Sequence, residues 1–200
     1  MLKIGLTGGI GSGKSAVSSV FSKSNIPVYD SDQRAKWLMN NNNFLKDSIV
    51  KLFGSQAYSE EVLDRAYVSS VVFNDSSKLL ELNKLVHPAV SLDFKNWANQ
   101  FKNASFIVKE AAILIESEAY KEMDLIVLVV CDLNKRIQRV INRDHSNVEN
   151  VEKRVAQQLS DENKIKYADY IITNEGSLKD LELKVNNIIR QIKMNSKSLL

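Results

Sequence analysis

Gly8-Gly9-Ile10-Gly11-Ser12-Gly13-Lys14-Ser15 is the stretch on which the reading of this chain turns. It fills every fixed position of the pattern G-x-x-x-x-G-K-[ST]. Residues 3–7 before it form a short β-type run, and residues 14–23 after it read as a helix. That context matters as much as the letters do. Glycines let a backbone turn its N–H groups inward and approach phosphate oxygens with no Cβ in the way. The helix that follows adds the positive end of its dipole. Lys14 then reaches the β- and γ-phosphates of a nucleotide, and Ser15 offers a hydroxyl to Mg²⁺. A chance glycine-rich turn, or a loop for some other anion, explains the glycines but not the strand, the helix, the lysine and the serine together.

Working outward, five of the seven glycines (Gly5, Gly8, Gly9, Gly11, Gly13) fall in this one region. A chain of 200 residues suits one globular domain with room for an inserted lobe. The formal net charge of +3 is too small to announce a nucleic-acid binder. Cys131 is the only cysteine, which excludes an internal disulfide framework and a cysteine-rich zinc site. No run approaches the roughly 18 apolar residues a membrane span needs. The opening MLKIGLTGGIG is too short and glycine-rich for a secretory signal. These features predict a cytoplasmic protein with neither a nucleic-acid nor a membrane partner; a monomer or weak homo-oligomer is expected, although the sequence does not itself give oligomeric state.

Further strands are predicted at residues 26–29, 105–108, 125–130 and 170–173, separated by helices. This alternation implies an α/β fold of the P-loop NTPase type, a parallel sheet flanked by helices. The four asparagines at 40–43 read as a loop, and residues 44–85 as mainly helical with no strand. Proline disfavours helical geometry in the residue before it, so His87-Pro88 reads as a helix break, with a new helix running to about 102. A basic helix at 134–143, a polar stretch at 144–150, a helix at 151–166 and a closing helix at 178–194 follow. The tail, 195–200, is expected to fray. The predicted organisation is a core of residues 1–31, 88–135 and 168–195, a helical acceptor-binding lobe at about 32–87 and a short lid at about 136–167.

Ligands of open α/β sheets bind beyond the carboxyl ends of the strands. The second strand ends in Asp30-Ser31-Asp32, which supplies a base for a hydroxyl acceptor, Asp32 preferred, or simply a helix cap. Glu110 and Asp132 end two later strands, and either fits the metal-side acid of a phosphate-loop enzyme; Glu110 is favoured, since Asp132 directly precedes a helix. Arg136, Arg139 and Arg143 share one helical face, with Arg154 beyond. Beside a phosphate loop such a face reads as a lid that stabilises a transferring phosphoryl group, and otherwise as a solvated cationic surface. His87 is balanced between acid–base work and structure, and His145 reads as exposed. Asn83-Lys84-Leu85-Val86 lacks the aspartate of a guanine reader, which argues against a switch GTPase and for a small-molecule kinase.

Taken together these residues resemble the dephospho-coenzyme A kinase family. The loop reads LTGGIGSGKS, Asp30-Ser31-Asp32 is similar to the family's D-A-D, and Leu63-Asp64-Arg65, Val72-Phe73, Leu82-Asn83 and Val86-His87-Pro88 match its central pattern. Arg139-Val140-Ile141-Asn142-Arg143-Asp144 resembles its R-x-x-x-R-D signature, and Gln157, Ala168-Asp169 and Asn174 fall where the family has Q, A-D and N. Two places depart from the pattern. Glu110 and no proline stand where the family has aspartate-proline, and Lys36 replaces an arginine or histidine. The resemblance implies that ATP phosphorylates the ribose 3′-hydroxyl of dephospho-coenzyme A, with Mg²⁺. It makes Asp32 the base, gives phosphate contacts to Lys14, Arg139 and Arg143, and has Gly8, Gly9, Ile10, Gly11, Ser12, Gly13, Lys14, Ser15 and Ala16 hold ATP. Ser15 and Glu110 then serve the metal, Asn174 lies near the ATP base, and Asp30, Arg65 and His87 face the acceptor. The rival readings are a kinase of the nucleoside-monophosphate type and a non-catalytic ATP-dependent switch.

Overall fold

The computed structural model describes residues 1–197; residues 198–200, the end of the tail expected to fray, lie outside the described residues. In chain order the first elements are β1 (Leu2–Thr7), α1 (Lys14–Lys23), β2 (Val28–Asp30), α2 (Ser31–Asn41) and α3 (Asn43–Phe53). Next come β3 (Tyr58–Ser59), β4 (Val62–Leu63), α4 (Arg65–Asn74) and α5 (Ser76–Ala98). Then follow β5 (Phe106–Glu110), β6 (Leu125–Val130), α6 (Leu133–Asp144), α7 (Val148–Ala156), α8 (Asp161–Ile165), β7 (Tyr170–Thr173) and α9 (Leu178–Lys197). Contacts divide them into two compact units, Met1–Asp30 with the chain from Phe101 onward, and Ser31–Gln100.

The first unit is built on a five-stranded sheet in the order β2-β5-β1-β6-β7. Every neighbouring pair is parallel. Parallel strands are covered on both faces and therefore read as unbroken apolar runs, which is why Leu-Ile-Val-Leu-Val-Val was recognisable as β6. Val17, Val20 and Phe21 of α1, and Leu181, Val185, Ile188, Ile189 and Ile192 of α9, recur at helical spacing and are buried against Ile4, Leu6, Phe106, Val127 and Ile172. Each such buried side chain contributes about 1.5–3 kcal/mol. The register sets Glu110 beside Leu6 on one side and Asp30 on the other. The carboxyl ends of β2, β5 and β1 are thereby level, and the glycine loop leaves from the last of them.

The second unit is helical, with a small hairpin. Here three expectations fail. The asparagine run is a junction rather than a loop: Asn40 and Asn41 extend α2, and Asn42 caps α3 by accepting the Leu45 N–H at 3.0 Å. Asparagine is among the best residues for that position. Residues 58–63 form an antiparallel pair, β3–β4, where no strand was expected. Its two-residue turn, Glu60-Glu61, has positive φ at both positions (48° and 68°), a conformation usually signalled by Asn or Gly. Lys46 pairs with Glu61, and the Asn40 side chain accepts the Leu63 N–H at 2.8 Å.

Pro88 does not break the chain either. It lies inside α5, which continues unbroken from Ser76 to Ala98. A mid-helix proline costs about 3 kcal/mol because it removes one N–H and crowds the preceding turn. Val86, Val90, Phe94 and Ala98, four residues apart, form a buried stripe that requires the helix on both sides of it. Arg34 adds a two-pronged bond from α2 to Asp93 of the same helix, at 2.6 and 2.8 Å. Among the described residues no helix is long and apolar enough to cross a membrane.

Candidate active site

The loop between β1 and α1 needs glycine most plainly at two positions. Gly13 caps α1 with φ 100°, and a Cβ there would lie 2.0 Å from Asn174 Nδ2. Gly11 has φ 78°, and its Cβ would lie 2.4 Å from the backbone carbonyl of Arg136. Lys14, the first residue of α1, folds back over the loop, with Nζ 3.0 Å from the Gly8 carbonyl oxygen and 3.5 Å from that of Gly9. The Ser12 N–H closes a turn onto the Gly9 carbonyl at 3.1 Å. Among the described residues, the N–H groups of Gly11, Gly13 and Ser15 meet no protein acceptor. The hydroxyls of Thr7 and Ser12 are fully buried without a partner. Ser15 is exposed. A loop with amides unspent on protein acceptors at a helix N-terminus, closed by an ammonium, suits phosphate oxygens.

The other predicted residues of this unit take up different stations. Glu110 is buried at the end of β5 and accepts the Ser18 hydroxyl at 2.5 Å. Asp132 caps α6, its carboxylate accepting the Lys135 N–H at 3.1 Å, so the helix-cap reading holds for it. Asn174 spends its side-chain amide on the Ser12 carbonyl at 2.8 Å, tying the end of β7 to the loop. Arg139 is half-buried, its guanidinium 3.3 Å from Cys131 Sγ and 3.2 Å from the Asn174 carbonyl oxygen. Burial pushes the Cys131 thiol up, against the opposing pull of Arg139. Arg143 stands apart, exposed and paired two-pronged with Asp144 at 2.7 and 3.1 Å. That bond holds the Asp144 carboxyl below its ordinary range, with Arg154 adding to it at 3.1 Å.

Arg136 departs from the expected cationic face. It is 6% exposed, donates from Nε to the Ile10 carbonyl at 3.0 Å and from Nη1 to Asp161 at 3.2 Å. Its guanidinium lies so close to Gly9 that a Cβ there would come within 1.9 Å. Proximity to the loop backbone and a half-buried carboxylate partner explain the difference: Arg136 is part of the loop's support, where Arg143 is at the surface. In the helical unit, Asp32 is exposed in the first turn of α2. Arg65 opens α4 directly after its cap Asp64, and His87 is half-buried in the middle of α5.

Sequence reasoning missed the supports at the far end of this unit. The helix expected at 151–166 is two helices, α7 and α8, joined through 157–160 with Ser160 capping the second. From that connection Gln158, not Gln157, accepts the Ile10 N–H at 2.8 Å. Glu116 accepts both the Leu159 N–H and the Lys164 ammonium, each at 2.9 Å. Lys164 is fully buried. Removing one member of a buried pair strands the other, at about 3 kcal/mol or more. We expect Lys164→Met to lower the melting temperature by about 6–12 °C, the shift 3 kcal/mol gives in a chain of this size. Thermal unfolding checks this, and a change under about 2 °C would refute the pair's role.

Level acids at the carboxyl ends of a parallel sheet, beside an amide cradle closed by a lysine, define a P-loop nucleotide-binding protein of the kinase type. The model of the family described as Dephospho-CoA kinase matches residues 2–180. The chain belongs to the dephospho-CoA kinase family. A Bacteroides fragilis protein of that name is 35% identical over 88% of this chain and 85% of its own length. One from Fusobacterium nucleatum is 36% identical over 94% of this chain and 97% of its own. Among solved structures, that of a Thermus thermophilus protein superposes with a TM-score of 0.84 and 30% identity, covering 95% of this chain and 97% of that one.

Proposed function

We propose that the protein transfers the γ-phosphoryl group of ATP to the ribose 3′-hydroxyl of dephospho-coenzyme A, giving coenzyme A and ADP, in the cytoplasm. The observation that carries this is the loop itself: amides at Gly11, Gly13 and Ser15 that meet no acceptor among the described residues, with the Lys14 ammonium folded over the loop, in a chain of this family. The transferring group spreads charge over its equatorial oxygens, so fixed donors around it are the main catalytic resource. Lys14 and Arg139 contact phosphates from the sheet unit. Arg143 leaves its exposed pair with Asp144 and joins them, as part of a lid spanning about 136–167. Asp32 accepts the hydroxyl proton, and Asp30, Arg65 and His87 contact the acceptor. Asn174 lies towards the ATP base while holding the loop at Ser12.

Mg²⁺ fits the residues present. Among the described residues no cluster of three His, Cys, Asp or Glu side chains forms a metal cage. Magnesium needs none: it takes one or two protein oxygens and fills its shell with phosphates and water. The exposed Ser15 hydroxyl and the Glu110 carboxylate, with Asp30 beside it in register, are hard oxygen donors of that kind. The ion supplies charge neutralisation on the phosphate oxygens.

The test is to incubate the purified protein with ATP, Mg²⁺ and dephospho-coenzyme A and to follow coenzyme A by mass. Appearance of coenzyme A with matching ADP is the expected result. Phosphorylation of nucleoside monophosphates instead would assign the rival kinase class, and ATP-dependent binding without any phosphorylated product would assign a switch.

A further inference from the structure

Ile10 sits at the tip of the phosphate loop, and both of its backbone groups are held by side chains from distant elements. Gln158, in the connection between α7 and α8, accepts its N–H at 2.8 Å. Arg136 of α6 donates to its carbonyl at 3.0 Å and is itself held by Asp161 of α8 at 3.2 Å. In a trans peptide unit the C=O of one residue and the N–H of the next point in opposite directions, and no peptide bond in the described chain is cis. Two consequences follow. Pulling the Ile10 carbonyl out toward Arg136 turns the Gly11 N–H inward, and that amide has no protein acceptor among the described residues. Pulling the Ile10 N–H out toward Gln158 turns the Gly9 carbonyl inward, where it accepts the Ser12 N–H at 3.1 Å and approaches Lys14 Nζ at 3.5 Å.

We propose that Gln158 and Arg136 are positioning residues for nucleotide binding: they fix the peptide planes on either side of Ile10, and so aim one loop amide at phosphate and hold the Gly9 carbonyl, which closes the turn with Ser12 and is one of two carbonyls facing the Lys14 ammonium. The proposal rests on the loop being a nucleotide site. It makes the α7–α8 connection part of the donor site, with Gln158 and Arg136 acting through the loop backbone at Ile10. A loop whose planes are set before the ligand arrives does not have to order them on binding. Glycines at 8, 9, 11 and 13 cannot set these planes unaided, since their own conformational range is wide.

The test compares Gln158→Leu with Gln158→Glu by calorimetric titration with MgADP and by steady-state kinetics. Leucine keeps the bulk and removes the acceptor; glutamate restores an acceptor beside the Arg136 guanidinium. We expect Gln158→Leu to weaken MgADP binding and to raise the KM for ATP, each about tenfold, the effect of one lost hydrogen bond of this kind. The KM for the acceptor should stay unchanged, and Gln158→Glu should remain within about twofold of the parent, since its carboxylate makes the same bond. Arg136→Lys, which keeps the charge but loses the fork, should reproduce the loss. A Gln158→Leu protein with a lowered melting temperature but undiminished MgADP affinity would overturn the proposal, since that is a structural role alone. Equal losses in the leucine and glutamate variants would overturn it as well. Failure of the parent protein to bind MgADP would instead refute the nucleotide reading of the loop.

Discussion

Replacing Lys14 with methionine is expected to lower kcat/KM about 10³-fold, the scale set by removing a charged donor from a preorganised phosphoryl-transfer site. The ammonium is largely buried and lies against the carbonyls of Gly8 and Gly9. Positive charge held there by backbone dipoles acts on phosphate in surroundings of low effective dielectric, where it is worth far more than at an exposed surface. Methionine matches the length of the stem and is a good helix former, so α1 should start as before. The Gly9 carbonyl keeps the Ser12 N–H, which limits the damage to the loop. Kinetics together with thermal unfolding check this: the expected variant folds with a near-parental melting temperature and barely turns over. Parental turnover would remove Lys14 from the phosphates.

The parts of this molecule that could be read from sequence are those fixed by neighbours along the chain. The β1–loop–α1 unit is one of them, because strand, glycines, lysine and helix are contiguous. The β6 run is another, since burial on both faces leaves an unmistakable apolar stretch. The arginines of α6 show where this ends. Arg136, Arg139 and Arg143 share one face by spacing, yet one is buried against Ile10 and Asp161, one is half-buried beside Cys131, and one is exposed with Asp144. Periodicity gives direction around a helix, while depth is decided by what the fold brings against each turn. Gln158 and Arg136 reach Ile10 across 148 and 126 positions, separations that no local pattern encodes. The Glu60-Glu61 turn and Pro88 fail for a related reason. In each case a local preference of a few kcal/mol yields to packing, the hairpin contacts of Leu63 in one and the buried stripe of α5 in the other.

Asp32→Asn is expected to lower kcat about 10²–10⁴-fold, the range general-base catalysis contributes, with MgATP affinity within about twofold of the parent. Asp32 is exposed in the first turn of α2, within reach of solvent and of a bound acceptor. Asparagine has nearly the same shape and close to the same helix propensity, so α2 should begin unchanged, but it cannot take up the hydroxyl proton. Asp30→Asn is the necessary comparison, because the two acids lie two residues apart and only one can be the base. Asp30 ends β2 in register with Glu110, a place suited to the metal side or to holding the acceptor. Its loss should therefore raise substrate KM or the Mg²⁺ requirement more than it lowers kcat. The two variants separate the roles because a base acts only in the transition state, whereas a binding group also acts before it. Near-parental kcat in Asp32→Asn with a collapse in Asp30→Asn would move the base onto the sheet and assign Asp32 to opening the helix.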